Sequence, residues 1–215
     1  MQNLRVYNSG AMRFYSIIIS AVLIVIFIVQ LIFPQITDMF LLNSNSLAQP
    51  WRFATAMFLH GSFSHLLMNL FALLLFGSIL EKKVGSRRFL GIFFISGILA
   101  NIIAFNFYDS SLGASGAIMG IIGTLAVLSP TMAVWAFGMV VPMIVAAVIW
   151  IIIDAVGIFM PDNIGHIAHL SGIIFGAMFG FMIRINTPKQ KKKTQMIEVP
   201  EHLLRRWETL YMGRD

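Results

Sequence analysis

Six stretches of this chain run on without a single Asp, Glu, Lys or Arg. Phe14–Phe33 does so for 20 residues, Ser64–Leu80 for 17, Phe89–Phe107 for 19, Ala114–Leu128 for 15, Ala133–Ile153 for 21 and Ile167–Ile183 for 17. A bilayer-crossing helix needs roughly 20 mostly apolar residues, and about 17 suffice. The six runs fill most of the 215 residues, so the expected fold class is an all-α polytopic membrane protein with six transmembrane helices. Composition agrees. Charged residues make up 11% of the chain, where an ordinary soluble domain carries about 25%. With Cys at 0, disulfide frameworks, thiolate zinc sites and cysteine nucleophiles are excluded.

Two of the runs need comment. The first outlasts the 7–15 residues of a signal-peptide core, and no small-x-small cleavage site precedes Pro34, so it reads as a retained span. The fourth is too short to cross about 30 Å alone at 1.5 Å per residue. It therefore reads as a central helix surrounded by the others, with a polar cavity at one end.

The charges fall on one side of a six-span chain. Arg5 and Arg13 precede the first span, Lys82, Lys83, Arg87 and Arg88 lie between the second and third, and eight more follow the sixth. Only Arg52 falls on the other side. The excess of Lys and Arg in cytoplasmic loops then places both termini in the cytoplasm of a multi-pass cell-membrane protein. It also explains the formal net charge of +6 without nucleic acid. Residues 1–13 read as a cytoplasmic N-terminal segment, 14–184 as the six-helix membrane domain and 185–215 as a basic cytoplasmic tail. That tail opens with a Lys189–Lys193 run suited to anionic lipid. It continues with Leu203, Leu204, Trp207, Leu210 and Tyr211 at helical spacing, the pattern either of a helix lying on the inner membrane surface or of a solvated tail. The loop Pro34–Ser62 is long and still apolar, and is expected to lie partly in the outer leaflet.

Polar residues inside spans are costly and mark functional sites by default. Here they are His65, Asn69, Ser115, His169 and, at the end of the fifth span, Asp154. Ser115 sits in Gly113-Ala114-Ser115-Gly116 at the start of the short fourth helix. Unpaired backbone N–H groups there can cap a serine or stabilise an oxyanion beside it. His169 lies at similar depth near the start of the sixth span. Gly116 and Gly120 on one helix and Gly172, Gly176 and Gly180 on the other allow close backbone approach. Close approach is what a Ser–His hydrogen bond requires, since general-base activation works at about 2.6–3.2 Å. His65 and Asn69 are i and i+4 on one helix face. They read either as interhelical polar contacts or as donors aimed at developing negative charge. His60 reads as a loop-packing residue and His166 as a spectator. Asp154 is the acid that could complete a triad with His169, but its place at a helix end reads rather as a cap or a loop pairing, leaving a dyad. The four histidines do not form a His-Glu-x-x-His helix and no carboxylate is interleaved with them, so no metal site is expected.

With these residues in place, the sequence resembles the rhomboid family of intramembrane serine proteases, over roughly residues 48–184. Trp51-Arg52 matches the family's first external loop. His60-Gly-Ser-Phe-Ser-His65-Leu-Leu-Met-Asn69 matches its second-helix pattern, with His65 and Asn69 at the oxyanion positions. Glu81 with Gly85-Ser86, Gly113-Ala114-Ser115-Gly116, and Ala168-His169 with Gly172 and Gly176 follow in family order. The resemblance implies a serine endopeptidase of the minimal six-helix prokaryotic type, cleaving membrane-anchored proteins near the outer face. His169 would be general base and then general acid, Ser115 the nucleophile, and the Ser115 N–H, His65 and Asn69 the oxyanion donors. It implies no cofactor and no metal. The partners would be transmembrane-helix substrates and membrane lipids, with no nucleic acid. Two other classes remain: a rhomboid-like protein that binds transmembrane helices without cutting them, and a small transporter using buried histidines as a proton path. No internal repeat favours the latter.

Overall fold

Apolar helices in lipid must satisfy every backbone group internally, and the chain meets this demand with a bundle of helices joined by short, tied-down loops. The structure is a computed structural model describing residues 13–160, 162, 164–186 and 200–213. Four helices are long and apolar enough to cross a membrane: α1 (Tyr15–Ile32), α4 (Phe63–Val84), α5 (Ser86–Ala104) and α8 (His166–Asn186). Two shorter apolar helices complete the bundle, α6 (Ser115–Leu128) and α7 (Met143–Gly157). Between α1 and α4 lie two short helices, α2 (Gln35–Phe40) and α3 (Arg52–Thr55), and a two-residue strand β1 (Leu42–Asn43). A further short helix, α9 (Glu201–Tyr211), follows the bundle.

The helix expected to be central is central. From Gly116 to Leu128 every residue of α6 except Val127 is buried. The outer helices α1, α4, α5, α7 and α8 instead expose large apolar side chains such as Val25, Met68, Ile102, Ile152 and Met182, the surface a hydrocarbon environment accepts. The α6–α8 seam is built from absent side chains. A Cβ at Gly176 would collide with the carbonyl oxygen of Gly120, and one at Gly172 with that of Gly116. With the backbones this close, the Thr124 hydroxyl reaches the Gly176 carbonyl on the neighbouring helix at 2.8 Å. This is the small-residue packing that fixes two membrane helices against each other.

One expected span is corrected. Ala133–Ile153 does not form a single helix. Its first part is a β-hairpin, β3 (Ala133–Ala136) paired antiparallel with β4 (Met139–Pro142), and α7 begins only at Met143. The sequence carries the reason. Phe137 and Gly138 both take positive φ, 53° and 77°, which is the two-residue turn that matches strand twist. Val134, Trp135, Val140 and Val141 suit strands. Pro142 lacks an N–H and ends the hairpin at the N-cap of α7. The remaining spans keep their places with shifted ends. α4 contains a π-helical segment at Leu73–Gly77 and runs on past Leu80 to Val84, and α5 starts at Ser86 rather than Phe89.

Glu81 and Arg52 anchor opposite parts of the bundle. The wholly buried Glu81 carboxylate accepts from the Tyr15 and Ser16 N–H groups at 2.9 and 3.0 Å and from the Ser86 hydroxyl at 2.6 Å. An anion at the start of α1 satisfies its unpaired N–H groups and complements its dipole. Arg52 is buried and donates to the carbonyls of Asp38 and Leu41 at 2.9 and 2.8 Å and to Gln49 at 2.6 Å, folding the loop after α1 onto itself. In α9 every residue is exposed, with Leu203, Leu204, Trp207, Leu210 and Tyr211 among them. The Lys189–Lys193 run lies outside the described residues, as does most of the segment 1–13.

Candidate active site

The loop leading into α6 is held before it delivers Ser115. A second short strand, β2 (Ser110–Ser111), pairs with β1, bringing Leu42 opposite Ser111. The Gly113 N–H then donates to the Ala56 carbonyl at 2.9 Å. Gly113 has φ +124°, open to glycine and strained for other residues. A Cβ there would also lie 2.7–2.8 Å from Cε1 and Nε2 of His65, so the imidazole of α4 packs directly against the backbone of this loop. Ser115 is the first residue of α6 and is half-buried. The leading N–H groups of that helix have no intrahelical acceptor and stand available beside the hydroxyl.

His169 meets Ser115 from α8. Its Nε2 lies 2.8 Å from Ser115 Oγ. Its Nδ1 lies 2.9 Å from Oδ1 of Asp154, near the end of α7. A carboxylate only accepts, so the Nδ1 must carry the proton, and Nε2 is left with its lone pair toward the serine hydroxyl. Three helices therefore converge, with a hydroxyl, an imidazole in the base-competent tautomer and a carboxylate in line. Chemically, this arrangement can take the proton of Ser115 as its oxygen attacks a carbonyl.

The other sequence candidates fall in distinct places. His65 is in the first turn of α4, and its backbone N–H donates to Ser62 Oγ at 3.1 Å. Asn69, one turn along α4 and buried, donates one amide hydrogen to the His65 carbonyl at 2.8 Å, which leaves its second amide hydrogen for another acceptor. His60 is a buried packing residue whose ring meets the His65 ring edge-on at 5.1 Å. Burial first, then the charge of neighbouring His65, push His60 down to about 4, so it is neutral near pH 7. His166 joins the same cluster: its Nδ1 lies 2.7 Å from the same Asp154 oxygen that His169 uses, and its Nε2 lies 3.1 Å from Asp162. The Asp162 carboxyl is held below its usual range by the Ile164 N–H and then by the His166 ring.

Asp154 and His166 are the residues whose contacts with His169 and with each other the sequence reading did not place. Asp154 does pair with a loop-side group, as a helix-end acid was expected to, but it reaches His169 as well. The order of the elements carried part of the signal, though not the contact itself. Asp154 and His169 lie on consecutive antiparallel helices joined by a short loop, and His166 and His169 are i, i+3 on one face.

Comparison with known proteins gives a family-level match. A family model described as the Rhomboid domain matches residues 47–186. "RHOMBOID-like protein 6, mitochondrial" of Arabidopsis thaliana is 33% identical over 137 residues, covering 63% of this chain and 44% of the plant protein. "Putative rhomboid protease YdcA" of Bacillus subtilis (strain 168) is 31% identical over 139 residues, covering 61% of this chain and 66% of its own length. "Rhomboid protease GluP" of the same organism is 38% identical over 129 residues, covering 59% of this chain and 24% of its own. The chain thus spans less than two thirds of each of these relatives.

Proposed function

The chain belongs to the rhomboid family, and from that premise we propose that it is an intramembrane serine endopeptidase that cuts single-span membrane proteins with Ser115 and His169. The observation that carries the reading is the 2.8 Å approach of His169 Nε2 to Ser115 Oγ at the head of a buried helix. Relatives named as rhomboid proteases support the same class of activity.

In this mechanism Ser115 Oγ attacks the scissile carbonyl carbon while its proton passes to His169 Nε2. Negative charge develops on the carbonyl oxygen. The Ser115 backbone N–H, His65 and the free amide hydrogen of Asn69 are its proposed donors, preorganised before charge appears. The imidazolium of His169 then protonates the departing amine as the C–N bond breaks, leaving an acyl-enzyme on Ser115. Water, deprotonated by His169, releases the acyl group and restores the hydroxyl. These side chains and backbone groups suffice for each step.

The substrate is a transmembrane helix that unwinds locally at the cut. A peptide bond inside a helix is held by its i→i−4 hydrogen bond, and in lipid each freed backbone group costs several kcal/mol. Gly or Pro near the cut lowers that cost, because they propagate helix poorly by about 1 and 3 kcal/mol. The proposed orientation puts both termini in the cytoplasm and the Ser115 end of the bundle at the outer face, and the Lys and Arg distribution supports it. Residues 14–184 are the proposed membrane domain, flanked by cytoplasmic segments.

A serine-directed phosphonate probe tests the assignment. It labels the wild-type protein at Ser115 and leaves Ser115→Ala unlabelled. Absence of labelling in folded wild-type protein favours a rhomboid-like helix binder without catalysis.

A further inference from the structure

We propose that Asp154 is the positioning residue for His169, and that His166 holds Asp154 in place, so that the Ser115–His169 pair works as part of a longer chain of contacts. This rests on the protease reading above and goes beyond a two-residue mechanism.

Four observations converge. First, Asp154 Oδ1 accepts from His169 Nδ1 at 2.9 Å, on the side of the ring opposite Ser115. That bond fixes which nitrogen carries the proton and which way the ring faces. Second, the same oxygen accepts from His166 Nδ1 at 2.7 Å, and Asp162 meets the far side of the His166 ring at 3.1 Å. The line of contacts thus runs from Ser115 through His169, Asp154 and His166 to the exposed Asp162. Third, α7 is shaped to admit it: Gly157, one turn beyond Asp154, has no side chain where the His166 ring lies, and a Cβ there would overlap three of its ring atoms.

The fourth observation is the unfavourable one. Asp154 is 3% exposed and its second oxygen, Oδ2, is buried without a hydrogen-bond partner. A buried charge with an unmet acceptor is a poor way to join two helices, and an amide or hydroxyl would do so at lower cost. His166 already faces Asp154 with one ring nitrogen and Asp162 with the other, so it is the standing partner of this carboxylate. His169 adds a further positive charge beside Asp154 when it takes the Ser115 proton, and Asp154 is already in contact with the ring at that moment. The carboxylate orients the base and stabilises the imidazolium.

The test uses the full chain in detergent or liposomes, comparing wild type, Asp154→Asn and Asp154→Glu. The first readout is kinetic. Asp154→Asn is expected to lower kcat by about 10²-fold or more with KM nearly unchanged, because the loss lies in the transition state. Asp154→Glu, which keeps the charge, is expected to recover part of the rate. The second readout needs no activity: the ring-nitrogen NMR shifts of isotope-labelled histidine, whose five residues are assigned by substitution. His169 is expected to hold the Nδ1–H tautomer in wild type and Asp154→Glu, and to lose that fixed tautomer in Asp154→Asn. Should Asp154→Asn not purify folded, Asp154→Ser carries the same comparison. A His169 that keeps its tautomer without the carboxylate, or a kcat within about threefold of wild type, overturns the proposal. A wild type that does not cleave, while its tautomer still depends on Asp154, counts against the protease reading and leaves the Asp154–His169 coupling standing.

Discussion

At the scale of single residues, charge development decides what each side chain is for. Asn69 has one amide hydrogen committed to the His65 carbonyl and one to give. Asn69→Ala is therefore expected to lower kcat without abolishing it. One essential oxyanion donor is worth about 10²–10³ in rate, and the Ser115 N–H and His65 would remain. A fully active Asn69→Ala protein would return Asn69 to a packing role. His60 carries a different consequence. Its folded value is depressed to about 4, against about 6.5 in the unfolded chain. Between those values the unfolded state binds a proton that the folded state refuses, so stability falls as pH drops from about 6.5 toward 4. The His60 ring nitrogens meet no side-chain partner, so an apolar replacement leaves no other side chain unpaired. Thermal midpoints at pH 7 and 4.5 are expected to differ less in His60→Leu than in wild type, and equal differences would contradict this account. Much at this scale was legible in the sequence. Ser115, His169, His65 and Asn69 stood out as polar groups in apolar runs, and the structure brings Ser115 and His169 into contact. What spacing could not show was that Asp154 reaches His169. That depends on how α7 and α8 meet across their loop, with Gly157 making room for His166.

At the scale of elements, helix ends and turns decide where each run of apolar sequence starts and stops. Apolar content identified six runs but could not tell strand from helix in Ala133–Pro142, because both are apolar there. The local signal was the turn at Phe137-Gly138 and the N–H missing at Pro142. The short α6 was legible for the opposite reason: its length alone required neighbours on all sides. Glu81 shows what a single residue contributes to an element. It accepts from two backbone N–H groups at the start of α1 and from two hydroxyls, those of Ser16 and Ser86. Glu81→Ala removes all of these acceptors at once, in a buried setting. Hydrogen bonds to a charged group contribute about 1.5–3 kcal/mol each, though not additively, so a loss of at least about 2 kcal/mol is expected. It should appear as a lower thermal midpoint in detergent, with Glu81→Gln intermediate because it keeps one acceptor. An unchanged midpoint would show that water replaces the carboxylate without loss.

At the scale of the whole molecule, the bundle sets the Ser115 hydroxyl at the head of a buried helix, beside His169. The proposed orientation follows from the 15 Lys and Arg residues, of which only Arg52 lies on the far side of a six-span chain. Because the chain has no native cysteine, single cysteines introduced at Ser44 and at Thr194 are expected to react with a membrane-impermeant reagent from opposite sides of the bilayer. Reaction from one side would break the proposed topology. The central claim, that Ser115 and His169 act as one catalytic unit, is tested most directly by cleavage of a single-span model substrate in liposomes. Wild type, Ser115→Ala, His169→Ala and the double variant are compared at equal reconstituted amounts. The account predicts cleavage by wild type, loss in each single variant, and no further loss in the double variant, because members of one catalytic unit do not lose activity additively. Appreciable cleavage by purified Ser115→Ala would contradict it.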